Sequence, residues 1–106
     1  MANNYKNEKL DLTTVNVTTL YTATTATSGI FRSILVSNDS GSNDTITLTL
    51  TNGSSVFSIY KNEEVGALST KELLTQPLVV EELEILKVTA ATANRLHVVA
   101  SYLEIT

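Results

Sequence analysis

His97 is the single histidine of this 106-residue chain, and the chain contains no cysteine. A catalytic histidine needs a carboxylate and a nucleophile close to it. His97 lies between Leu96 and Val98, and no local motif supplies those partners. We therefore expect a packed or interfacial histidine. The absence of cysteine excludes disulfides and thiolate metal sites.

Two acidic groups have the residue type that glycoside hydrolysis requires, which is a pair of carboxylates. They are Glu63 with Glu64, and Glu81 and Glu82 with Glu84. Adjacent residues of a strand point to opposite faces, and these acids fall at turns or at the starts of strands. We expect solvated loop acids instead of a catalytic pair.

Residues 39–44 offer oxygen atoms that could hold calcium, from Asp39, Ser40, Asn43 and Asp44. The bidentate glutamate that completes a calcium loop of the EF-hand type is missing, so we interpret this segment as a simple turn. The four glycines lie far apart and form no phosphate-binding loop. The sequence thus predicts no enzyme activity, no catalytic or metal-binding residue and no required cofactor.

The charge pattern argues against nucleic acid as a partner. The formal net charge is −4, and the seven lysines and arginines are scattered singly along the chain. Proteins that bind nucleic acid usually cluster their basic residues. The first ten residues are polar, and no run of 18 apolar residues occurs anywhere. We expect a soluble protein made in a cytoplasm, with no membrane partner.

The clearest structural signal is residues 45–51, where threonine alternates strictly with an aliphatic residue. A strand would place Ile46, Leu48 and Leu50 on one face. Asn52 and Gly53 follow, a dipeptide typical of a type I′ hairpin turn.

Residues 56–61 would then return antiparallel to the strand at 45–51. The alternation of side chains predicts two faces for this returning strand. Phe57 and Ile59 would lie on one face, with Val56 and Tyr60 on the other.

The rest of the chain also favours strands. Residues 30–37, 84–90 and 95–105 are rich in β-branched and apolar residues, and turn-forming residues separate them. Residues 10–20 indicate one or two more strands. Residues 68–74 form either a short helix, capped by Ser69 with Glu72, or an edge strand. Both readings stay open.

Seven or eight short strands with regular turns indicate an antiparallel β-sandwich or small barrel. We predict a single all-β sandwich domain, jelly-roll or immunoglobulin-like, over residues 10–106. Residues 1–9 are expected to form a flexible N-terminal arm.

The last predicted strand is apolar on both faces. One face carries Leu96, Val98, Ala100 and Tyr102, which we assign to the core. In a strand with one solvated face, apolar and polar residues should alternate. Here they do not, so either another part of the chain or a partner covers the second face. We choose the partner and predict a homo-oligomer, a trimer or small ring over which the arm extends. The expected subunit-interface residues are Val99, Leu103 and Ile105.

Several strand and turn motifs between about residue 17 and the C-terminus carry a family resemblance. They are Leu20-Tyr21-Thr22-Ala23, Ile34-Leu35-Val36-Ser37-Asn38, Tyr60-Lys61-Asn62, and the ending built from residues 86–89, 93–96 and 100–105. Their order resembles that of short β-sandwich virion proteins of tailed bacteriophages. Glu81-Glu82-Leu83-Glu84 departs from the pattern, which has a glycine-containing turn there.

The resemblance implies a virion protein, made in the bacterial host cytoplasm, that carries no catalytic residue. The expected function is capsid decoration, in which the protein acts as a cement that stabilises the particle. A neck, tail or fibre-base adaptor is the alternative, and the partners would be the major capsid or neck and tail proteins. A carbohydrate-binding or receptor-binding module is a further alternative. It needs exposed aromatic rings, for which Tyr5 and Tyr21 are the candidates.

Overall fold

A computed structural model describes residues 2–106, which form nine strands and no helix. The strands are β1 (Asn3–Asp11), β2 (Thr18–Thr22), β3 (Ser28–Asn38), β4 (Asp44–Asn52), β5 (Ser55–Val65), β6 (Ser69–Glu72), β7 (Leu78–Val80), β8 (Ile85–Ala90) and β9 (Leu96–Ile105). The all-β prediction is confirmed, with more strands than the seven or eight expected.

The strands form two antiparallel sheets. Sheet A has the order β1-β9-β3-β6, with the short β7 also paired to β3, and sheet B has the order β2-β8-β4-β5. Buried side chains of both sheets belong to one hydrophobic core, which is consistent with the predicted single-domain sandwich. The largest fully buried side chains are Phe31, Leu12, Ile34, Ile46, Leu48, Leu73, Leu86 and Leu96, together with several valines.

The β4–β5 hairpin lies where the sequence predicts it, but its turn is shifted by one residue. Asn52 pairs with Ser55, so the two central turn residues are Gly53 and Ser54. Gly53 has a φ of 60° and Asn52 remains in the strand. A positive φ at the first central position is the type II′ pattern, whereas the expected type I′ turn would need it at both Asn52 and Gly53.

A bulge in β5 breaks the alternation predicted for residues 56–61. Leu48 pairs with Tyr60 while Thr49 pairs with Ser58, so Ile59 is an extra residue. Ile59 and Tyr60 therefore both pack against the core. Val56 and Phe57, nearer the turn, are both exposed.

Residues 3–9 form a paired strand in this structure, where the sequence suggested a flexible arm. β1 pairs with β9 along its whole length, from Asn3 with Ile105 to Asp11 with His97. The backbone of β9 provides the partner, while most side chains of β1 stay exposed and resemble those of an unpaired arm. Met1 of the predicted arm lies outside the described residues.

The segment at 68–74 contains the edge strand β6, which pairs with β3. The alternative of a capped helix is wrong. Ser69 donates its hydroxyl to the carbonyl oxygen of Gly66, 2.6 Å away, and Leu68 has a φ of 56°. The Glu72 carboxylate instead accepts hydrogen bonds from the Ser33 hydroxyl and from the Ile34 N–H.

Candidate functional site

The outer face of sheet A, directed away from the core, carries the residues nominated as a subunit interface. On β9, the predicted core residues Leu96, Val98, Ala100 and Tyr102 are buried, as expected. The intervening Val99 is 40% exposed, and Leu103 and Ile105 are half-buried. The alternation of a strand thus places these three side chains on the outer face, where contact with another subunit stays a prediction.

Strand pairing extends this apolar surface across sheet A. Leu103 lies between Tyr5 of β1 and Ile30 of β3, and Ile30 lies beside Val79 of β7. One more apolar pair, Val99 with Leu35, lies further along the same face. We call this surface the sheet A face and define it by Tyr5, Ile30, Leu35, Val79, Val99, Leu103 and Ile105.

The outer face of sheet B has the opposite character. Thr47 pairs with Thr89 and Thr49 pairs with Lys87, on the side of β4 opposite to the buried Ile46. Hydroxyl groups and one ammonium group therefore dominate this surface. The apolar side chains that sheet B does expose, Val56 and Phe57, lie beside the β4–β5 turn. The paired centre of β4 and β8 carries polar groups that water can solvate, so the apolar surface across the middle strands belongs to sheet A.

His97 lies near two carboxylates that are distant in sequence, which no local motif could reveal. Its Nε2 is 3.1 Å from Asp39 Oδ2, and its Nδ1 is 3.4 Å from Asp11 Oδ1. The fold brings together the end of β1, the start of β9 and the β3–β4 loop. Both ring nitrogens face carboxylates, and these contacts join the three segments.

Glu84 is buried, which contradicts the prediction of a solvated loop acid. It is only 8% exposed. Its carboxylate accepts one hydrogen bond from the Glu81 N–H at 2.8 Å and one from Asn52 Nδ2 at 3.1 Å. Glu82 accepts a hydrogen bond from the Ala26 N–H, and Glu63 pairs with Lys71. These acids hold turns and strands together.

The polar side chains of the β3–β4 loop are directed at the chain's own backbone. Asn43 Oδ1 accepts a hydrogen bond from the Ala67 N–H at 2.8 Å, and Asp44 Oδ2 accepts one from the Thr92 N–H at 3.2 Å. Within residues 2–106, no group of three or more His, Asp and Glu side chains is arranged to hold a metal ion. The same residues include no helix long and apolar enough to span a membrane.

Asn38 is a buried polar residue whose role the sequence did not reveal. Its side-chain Nδ2 donates to the carbonyl oxygens of Ser42 and Val65, at 2.8 and 3.1 Å. Its Oδ1 accepts from both the N–H and the hydroxyl of Ser40. A turn-forming residue at the start of residues 38–44 was the one available signal.

Tyr21 cannot serve as an exposed sugar platform, because it is only 6% exposed. Its ring packs against Phe31 and Tyr102, with centroids 5.2 and 4.8 Å away. Tyr5, the other nominated aromatic, is 81% exposed. It borders a shallow depression whose lining also includes Arg32 and Ser101.

Glu104 connects this aromatic cluster to β1. Its Oε1 accepts from Lys6 Nζ at 2.8 Å, and its Oε2 accepts from the Tyr21 hydroxyl at 2.7 Å. These two hydrogen bonds lower the pKa of Glu104 below its ordinary value of 4.5, and the bond from Lys6 has the larger effect. Burial and the bond to Glu104 raise the pKa of Tyr21.

We expect Glu104→Gln to reduce the dependence of the free energy of unfolding on pH in the acid range. A lowered folded-state pKa stabilises the fold above the ordinary pKa, and this contribution is lost as the pH falls through the folded value. At neutral pH the variant should lose about 1 kcal/mol. Between about pH 5 and pH 3 its free energy of unfolding should fall less than that of the wild type.

Urea unfolding at a series of pH values measures this difference. Glu64→Gln is the control, because the exposed Glu64 lies on the other sheet. An identical pH dependence in the acid range for wild type and Glu104→Gln would contradict the assigned role of Glu104.

The candidate site is therefore a surface, the sheet A face, which β1 with its exposed Tyr5 borders on one side. Its chemistry is apolar contact, with the backbone groups of an edge strand beside it. Searches with protein-family models, curated proteins and solved structures found no match to this chain.

Proposed function

We propose that the chain is a non-enzymatic structural protein of a tailed-phage virion, which docks on other virion proteins through the sheet A face. The observation that carries this proposal is the contrast between the two outer faces. Sheet A exposes apolar side chains such as Val79 and Val99, whereas the paired centre of sheet B exposes threonines and its exposed apolar residues lie beside the β4–β5 turn. Large apolar patches are typical of protein interfaces. A protein made in the bacterial host cytoplasm and assembled into the particle would have that face covered.

The order of strands supports a jelly roll as the finer description of the fold. With the three-residue β7 set aside, β1 lies beside β9, β2 beside β8, β3 beside β6, and β4 beside β5. This nesting is that of one long hairpin folded over into two sheets. Jelly rolls occur widely as viral capsid domains, which agrees with the resemblance to virion proteins.

Capsid decoration is the specific function we propose, with a neck, tail or fibre-base adaptor as the alternative. A decoration protein covers the shell, so its copy number follows that of the major capsid protein. An adaptor occupies one vertex and is present in few copies. Quantitative mass spectrometry of purified particles of a phage that carries this gene gives the copy number and so distinguishes decoration protein from adaptor. Absence of the chain from the particles would overturn both functions.

The docking face itself is tested by adding purified protein to particles that lack it. We expect Val99→Glu to weaken binding by at least about 100-fold, because an unpaired charge in an apolar interface costs several kcal/mol. Thr49→Glu, on the outer face of sheet B, is the matched control and should bind as the wild type does. Equal binding by both variants would show that the sheet A face is not the docking surface.

A further inference from the structure

The outer edge of β1 presents unpaired backbone groups in a regular array. Ala2 and Thr106 exchange both of their backbone hydrogen bonds, at 3.1 and 2.9 Å, and the Leu12 N–H donates to Leu96 O at 3.0 Å. Hydrogen-bonded and non-bonded residues alternate along an antiparallel pair, so even-numbered residues of β1 bond to β9. The odd-numbered residues direct their N–H and C=O groups to the other side, where no strand of residues 2–106 pairs with β1.

The remaining sheet edges are short or interrupted by bulges, whereas β1 is long and regular and only its charged side chains limit pairing. β2 contains a register shift between Thr19 and Tyr21, and β5 contains two irregularities opposite β4. β6 and β7 have only four and three residues. Bulges and short length are common protections of an edge strand. β1 has nine residues in unbroken register and no proline.

We propose that β1 pairs antiparallel with β1 of a second copy, about a two-fold axis at Asn7. In this register Lys6 lies opposite Glu8 of the second copy and Tyr5 lies opposite Lys9 of the second copy. The first pair joins opposite charges and the second places an ammonium group beside an aromatic ring, and both stabilise neighbouring strands. Lys6 also pairs with Glu104 of its own chain. The two lysines would discourage pairing with an unrelated edge, and this register gives each of them a favourable partner in the second copy.

The contact joins two A sheets into one continuous sheet. It uses Tyr5 at the margin of the sheet A face and leaves the other residues of that face open for docking. It is independent of the proposed function, because the edge of β1 is not part of the contact tested by Val99→Glu. An antiparallel strand pair closes after two copies, so the assembly is a two-fold dimer in place of the trimer or ring predicted from the sequence.

Asn7→Pro tests the backbone contact without disturbing the fold. The Asn7 N–H faces the outer edge, so proline there removes no hydrogen bond to β9 and is tolerated on an edge strand. We expect the wild type to sediment as a dimer at about 100 μM and Asn7→Pro as a folded monomer with an unchanged circular dichroism spectrum. Asn7→Ala keeps the N–H and should remain a dimer. A monomeric wild type, or a dimeric Asn7→Pro, would overturn the proposal.

The register is tested by charge reversal. Lys6→Glu or Glu8→Lys alone places like charges opposite each other and should leave monomers. An equimolar mixture of the two variants restores opposite charges at both positions and should form the mixed dimer. Failure of the mixture to associate would exclude the Asn7-centred register.

Single cysteines provide an independent measurement, because the natural chain has none. Asn7→Cys places two thiols on opposing residues whose Cα atoms are about 5.5 Å apart, within disulfide range. Tyr5→Cys, on the same strand and face, leaves its thiols four residues out of register, about 13 Å apart. Mild oxidation should crosslink the first variant at least about tenfold faster, and equal rates would contradict the two-fold axis.

Discussion

Val98→Glu is expected to unfold the domain, whereas Val99→Glu, one residue further along β9, is expected to leave it folded. Val98 is fully buried and pairs with Leu10 and Val36 of the neighbouring strands, while Val99 is 40% exposed on the sheet A face. An unpaired carboxylate in the core costs several kcal/mol, which is most of the stability of a domain of this size. Circular dichroism and thermal unfolding measure the difference.

Val98→Ala separates the effect of charge from that of lost packing. Truncating a buried valine should lower the free energy of unfolding by about 2 kcal/mol and leave a cooperative transition. Val98→Glu should show no native transition at 25 °C. If Val98→Glu unfolded at the melting temperature of the wild type, the inner and outer faces of β9 would have been assigned in the wrong order.

The faces of β4 and β9 could be predicted because their side chains alternate with a period of two and one side is fully covered. That pattern identifies Ile46 and Leu48, and likewise Val98, as core residues from the sequence alone. The pattern fails at Ile59, where a bulge inserts one residue and turns two neighbouring side chains toward the core. A bulge depends on the pairing partner, which the local sequence does not contain.

β1 could not be predicted because backbone pairing with β9 stabilises it, while its side chains bury little surface. A polar, exposed strand has no periodic signal to distinguish it from a mobile arm. The contacts of His97 were invisible for a related reason. Asp11 and Asp39 are distant in sequence, and the pairing of β1 and β3 with β9 brings them to the same end of the sheet.

The buried amide of Asn38 supports the prediction with the second large effect. Its Nδ2 donates to two carbonyl oxygens, one in the β3–β4 loop at Ser42 and one at the end of β5 at Val65. Asn38 is 1% exposed, so water cannot replace these bonds. Asp has the same shape and keeps the acceptor atoms, but as a carboxylate it has no donor and would face both carbonyl oxygens.

We expect Asn38→Asp to lower the free energy of unfolding by about 4 kcal/mol at neutral pH, or by about 20 °C in Tm. Burial beside two carbonyl oxygens favours the protonated acid, so the folded pKa of the introduced carboxyl lies above its unfolded value. The difference from wild type should therefore be smallest below about pH 4 and grow as the pH rises. Asn43→Asp is the matched control, because Asn43 uses only its Oδ1, as an acceptor for the Ala67 N–H, and should change Tm little. Equal melting temperatures for the two variants across this pH range would show that the donors of Asn38 do not hold the loop to β5.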